Sequence, residues 1–166
     1  MSVRRKTAKA LGARIYPGSA KEIGWFPVQR TARSHPFFDG LPDSFTPFHW
    51  HGETFDLPRE ATLLAKSKFT ETQAFSLGQR VLGLQFHMEA TEESVRALLN
   101  SAAHEIGDGV CEQRPDTILA NVNHCVVLRP LLEAVLDRFF RPPLKEQESS
   151  RSVPSSSLNP GPRRTE

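Results

Sequence analysis

The sequence predicts an α/β domain, and three observations carry that prediction. Near its start, TAKALGARIY reads as the end of a helix closed by Gly12, followed by a short strand beginning near Ile15; glycine takes the left-handed conformation that closes helices at no steric cost. In the middle, short β signals crowd together. Then RVLGLQFH runs directly into a helical pattern after Thr91, and strand-to-helix junctions of this kind are where α/β sheets collect their active sites.

The elements follow in order. EIGWFPVQRT places Ile23, Trp25 and Val28 among polar neighbours and reads as an edge strand, because Pro27 has no N–H for a ladder. Pro36, Gly40, Pro42 and Pro47 mark a long irregular connection. The segments PFHWH, ATLLAKS, TQAFSLG and RVLGLQFH are strands bounded by turn residues. Gly78-Gln79 joins the last two as a hairpin. Thr91 caps the next helix, Glu92 and Glu93 meet the positive end of its dipole, and Val95, Leu98, Leu99, Ala102 and Ala103 repeat at helical spacing. A second helix is expected to start at about Pro130, a residue suited to a first turn, and to run through Phe140 on an apolar side of Leu131, Leu132, Val135, Leu136, Phe139 and Phe140. From Arg141 the composition turns to proline, serine and charge, so residues 141–166 read as a disordered tail and 1–140 as the domain.

Composition excludes several classes. The 166 residues, 38% hydrophobic and 24% charged, are enough for one globular core. The 21 basic and 19 acidic residues are too balanced to argue for nucleic acid as the main partner. No stretch approaches the roughly 20 apolar residues of a membrane span. Two cysteines without a secretory apolar segment fit a reducing compartment, so a cytoplasmic location is expected. The first 21 residues carry six basic side chains and no acid, a weak likeness to an organellar leader.

The chemistry-bearing residues are few. His87 and Glu89, at i and i+2 on a strand, share a face, so the carboxylate can hold the imidazole's tautomer and orientation. That is the base-plus-orienter part of a nucleophilic triad. On spacing alone the pair fits a surface ion pair at a strand end better. His49 and His51 also share a face and could bind zinc, but no third ligand stands at a supporting spacing, so no metal and no cofactor are expected. Trp50 fits plain core as well as a site, and Gln85 and Phe86 read as strand filler. Cys111 lies in a loop and Cys125 in NVNHCVVL, neither on a strand-to-helix elbow, and both read as inert thiols.

The string GLQFHMEAT, with ALGARIYPGSAKEIGWFPV and PFHWHGETFDLP, closely resembles the class I glutamine amidotransferases, in particular stand-alone proteins similar to the amidotransferase domain of GMP synthase. The resemblance extends from about Ala8 to Phe140 and rests on three motifs in order. It implies a flavodoxin-like α/β sandwich, truncated at the N-terminus, with glutamine as the small-molecule substrate of a complete member. It also implies that His87 and Glu89 are the second and third members of a Cys-His-Glu triad, and that Trp50 and His51 lie near the glutamine pocket.

In that family a thiolate attacks the side-chain amide carbon, and the histidine hands a proton to the departing ammonia. The attacking cysteine stands in a C-L-G-x-Q elbow; counted back from Ala10-Leu11-Gly12 it falls at or beside Met1, where the sequence reads MSVRRK. The expectation is a chain that keeps the base and its orienter without the nucleophile and does not hydrolyse glutamine as written, through a misassigned start or a broken gene. The alternative is a non-catalytic binding or regulatory module on the same scaffold, completed by a partner chain of unknown identity. A metal- or nucleic-acid-binding module, resting on the His-x-His pair and the basic start, is the third reading.

Overall fold

The computed structural model describes residues 8–31 and 35–140. The tail and the basic residues before Ala8, on which part of the sequence reading falls, lie outside them.

Gly12 closes a helical stretch at residues 8–10 with φ +81° and leads into β1 (Ile15–Trp25), as its sequence predicts. β1 is longer than expected. It absorbs the short strand after Gly12 and the EIGW segment into one element, with an irregularity between Pro17 and Glu22. Its partner is β4 (Phe48–Phe55), antiparallel, with Glu22 opposite His51 and Gly24 opposite His49.

Pro27 does not lie within a strand. With Phe26 it forms the break where the chain leaves the first sheet and enters β2 (Val28–Arg30) of the second; a residue without an N–H ends one ladder and frees the chain to join another. The second sheet has five strands in the order β3-β2-β5-β6-β7, where β3 is Ser44–Phe45, β5 Thr62–Lys66, β6 Ala74–Leu77 and β7 Val81–Leu84. Every ladder among the described strands is antiparallel. The hairpin forms where Gly78 stands, at φ +54°, with Leu77 opposite Val81, so its loop holds three residues rather than two.

A parallel bridge closes the free edge of β1: Ile23 N–H donates to the Cys111 carbonyl and Gln113 N–H to the Ile23 carbonyl. The Gln113 amide extends the pairing by accepting from Trp25 N–H and donating to the Trp25 carbonyl, each at 2.9 Å. Gly24 makes room for it. At φ +119°, a Cβ there would lie 2.3 Å from the Gln113 Oε1.

Helix α1 (Glu92–Ala102) starts at Thr91 as expected, with a capping box in which Thr91 and Ser94 exchange hydrogen bonds. A short α2 (Pro115–Ala120) follows. Helix α3 spans His124–Phe140, so it begins six residues before Pro130 instead of at it. The proline is tolerated inside because it lies on an exposed stripe with Val126 and Arg129, where water can satisfy the Val126 carbonyl that it leaves without a donor. Leu128 and Val135 face the core, and Phe139 stacks on Phe37 of a 3₁₀ turn at Pro36–Phe38, 5.3 Å between ring centres. The main core joins Trp25, Phe45, Phe48, Phe86, Met88 and Val95. Among the described residues no helix is long and apolar enough to cross a membrane.

Candidate active site

His87 is placed by the joint between the two sheets. The expected strand RVLGLQFH ends at Leu84; beyond it Gln85 N–H still donates to the Gln73 carbonyl of the five-stranded sheet, at 2.7 Å. Two residues later the chain has changed partners. His87 pairs with Phe48 of β4, donating to its carbonyl at 2.7 Å and accepting from its N–H at 3.2 Å. Phe86 and Met88, each 1% exposed, anchor the segment in the core, so the alternating side chains His87 and Glu89 turn outward together. The shared face predicted for a strand therefore survives although the strand itself does not extend that far.

The imidazole Nδ1 stands 2.6 Å from the Glu89 Oε1. An ionised carboxylate only accepts, so Nδ1 carries the hydrogen and the basic lone pair is directed to Nε2. This is the orientation a histidine needs to move a proton at Nε2. His87 also lines a cleft of about 500 Å³, a volume typical of small-molecule sites. Trp50 and His51 line the same cleft, whereas Glu89 stands behind the imidazole, outside the lining. Trp50 Nε1 donates to the Glu105 carboxylate at 3.0 Å, and Lys21 Nζ reaches the Glu105 carbonyl at 2.6 Å, which ties one rim of the cleft together.

Beneath His51 lies a polar cluster that sequence reasoning missed. Glu22 is 1% exposed, and its Oε2 accepts from the Thr70 hydroxyl at 2.6 Å and the Gln73 amide at 2.8 Å. His51 Nε2 is 3.5 Å from the same oxygen and 3.4 Å from His49 Nδ1. His49 Nε2 meets the Phe26 carbonyl at 3.2 Å, and the Gln85 amide meets His51 Nδ1 at 2.8 Å. Burial pushes the Glu22 carboxyl above the usual range, against the opposing hydrogen bonds from Thr70, Ser67 and Gln73. The sequence signal was an acid immediately before the apolar Ile23. It could be read only with the β1–β4 register, which sets Glu22 opposite His51. The third ligand that the His-x-His spacing lacked is therefore supplied across the sheet, and these three side chains could hold a metal.

Neither cysteine has the setting of an activated thiol. Cys111 is 3% exposed, and burial, reinforced by the nearby Glu22 charge, pushes its thiol up. Burial likewise raises the Cys125 thiol, on the first turn of α3. Neither lines the cleft that His87 enters, and a raised thiol is the opposite of an activated one.

The profile of the glutamine amidotransferase class-I family matches residues 6–105. The chain belongs to that family. It is 35% identical over 102 residues to the glutamine amidotransferase-like protein YfeJ of Salmonella typhimurium, covering 60% of this chain and 43% of that protein. It is 34% identical over 93 residues to the GMP synthase of Thermomicrobium roseum, covering 55% of this chain and 17% of that one. A solved glutamine amidotransferase from Thermotoga maritima superposes with a TM-score of 0.73 at 34% identity, over 83% of this chain and 59% of that one. A glutamine amidotransferase from Methylobacillus flagellatus shares the fold, with a TM-score of 0.76 at 24% identity over 82% of this chain and 59% of that one. The chain thus spans less than half the length of these curated relatives. Over that span its fold is the flavodoxin-like α/β architecture of the class I glutamine amidotransferases.

Proposed function

We propose that His87 and Glu89 are the proton-carrying and orienting members of a glutaminase triad, and that Trp50 and His51 belong to the wall that receives glutamine. The observation that supports this most directly is the 2.6 Å contact from Nδ1 to Glu89, on a histidine that lines the cleft. In this reading the thiolate attacks the side-chain amide carbon, and His87 Nε2 protonates the departing ammonia. Nε2 then takes a proton from the water that opens the thioester. Glu89 holds the ring and stabilises the imidazolium.

The thiolate is the missing member. Neither Cys111 nor Cys125 has a setting that would make it one, so the 166-residue chain alone does not hydrolyse glutamine at a useful rate. Without a nucleophile the rate falls on the order of a millionfold in dissected triads. Ammonia release from glutamine by the purified chain tests this: background is expected, and a turnover abolished by Cys111→Ser or Cys125→Ser would overturn it. Nucleotide sequence upstream of Met1 encoding G-x-C-L-G-x-Q in frame would assign the nucleophile to a longer product. If no such codons exist, the reading shifts to a binding or regulatory module on the same scaffold, and glutamine binding without hydrolysis becomes the assay.

A further inference from the structure

The geometry points to a divalent-metal site, with zinc the best-matched ion, formed by Glu22, His49 and His51 beneath the floor of the cleft. The three ligand atoms lie within 4.8 Å of one another. Two edges of the triangle are 3.4 Å and 3.5 Å. Four-coordinate zinc at about 2.0–2.1 Å from each donor separates its donors by about 3.3–3.5 Å, so two edges already have the spacing of a tetrahedral face. The Glu22–His49 pair lies within 4.8 Å as well.

The surroundings of the ligands resemble those that orient metal ligands elsewhere. His49 gives its Nε2–H to the Phe26 carbonyl, which leaves Nδ1 with its lone pair toward the cluster. Glu22 is held by Thr70 and Gln73, so its carboxylate cannot swing away. His51 has its second nitrogen on the Gln85 amide. Without metal, that amide donates to Nδ1 and His51 Nε2–H points toward His49 and Glu22. With metal bound, Nε2 offers its lone pair to the ion and the ring hydrogen moves to Nδ1, so the Gln85 amide gives up its bond to Nδ1 and keeps the one to the Glu53 carbonyl. Two neutral imidazoles and one carboxylate leave a dication with one net positive charge. That composition suits zinc better than the oxygen-seeking magnesium or calcium. Glu22 and His49 are fully buried, while His51 borders the cleft, so the fourth coordination position opens on the cleft side.

The test uses the intact chain, stripped with a chelator, titrated with zinc chloride and then with cobalt chloride. One zinc per chain by elemental analysis is expected, with the visible bands of four-coordinate cobalt. His51→Gln, the least buried of the three ligands, is expected to weaken binding at least about tenfold while circular dichroism stays unchanged. Less than one tenth of an equivalent of zinc on the wild-type chain would overturn the site, and so would equal affinity in His51→Gln, which would place the ion on other side chains. The wild-type titration decides the matter even if a Glu22 or His49 variant fails to fold. The readout is metal content and is independent of glutaminase activity.

Discussion

Replacing Phe86 by alanine tests how the cleft holds its histidine. The ring is 1% exposed and packs edge-on to Phe45 at 5.6 Å, with His49 at 6.1 Å between ring centres. A buried aromatic side chain removes roughly 150–250 Å² from water, which at about 25 cal/mol per Å² is roughly 4–6 kcal/mol, less what the remaining Cβ retains. Measured Phe-to-Ala replacements in cores fall at about 3–5 kcal/mol, and we expect this one to fall there too. Domains of this size have a total stability of about 5–15 kcal/mol, so the variant stays folded only if the parent is well above the lower end. In urea, with a slope of about 1.5 kcal/mol per molar, the midpoint should drop by about 2–3 M. The effect should be larger than its volume implies for His87, because Phe86 and Met88 are the two buried side chains on either side of it. A loss below about 1 kcal/mol would refute the reasoning. It would mean that the backbone pairing of His87 with Phe48, and not Phe86, anchors the segment.

Gly83 faces the Phe75 ring across the β6–β7 hairpin, and a Cβ there would sit 2.2 Å from it, so Gly83→Ala must displace a fully buried ring and is expected to lose about 1–3 kcal/mol in denaturant titrations. Thr91→Ala removes the α1 cap and should lower stability by about 1 kcal/mol, with Thr91→Ser restoring most of it. His35 gives a pH-dependent outcome. Burial holds its pKa below the ordinary value of 6.5, and its Nδ1 accepts from Phe37 N–H while Nε2 faces the Ser76 hydroxyl. The unfolded chain therefore takes up the proton first. Stability should be full above about pH 6.5 and fall as the pH drops toward the lower folded value, and His35→Asn, which still offers Phe37 an acceptor, should flatten that slope in melts at pH 5 and pH 7.5.

The sequence alone determined the local features. Gly12 as a helix end, the Gly78 hairpin, the Thr91 cap and the shared face of His87 and Glu89 each depend on residues a few positions apart, where dihedral preference and side-chain period act directly. It misplaced the start of α3, because the preference of proline for a first turn is a local rule that solvent exposure of the freed carbonyl can relax. It joined EIGW to VQR in one strand, because nothing in that stretch says that the chain changes sheets at Pro27. The tertiary structure decided which strands meet. The β1–β4 register buries Glu22 against His51, and the handover from β6 to β4 after Leu84 brings His87 over the cleft. The Gln113 amide closes the edge of β1 eighty-eight residues away. Such pairings are fixed by the sum of many burials across distant segments, and no single window of the sequence contains both partners.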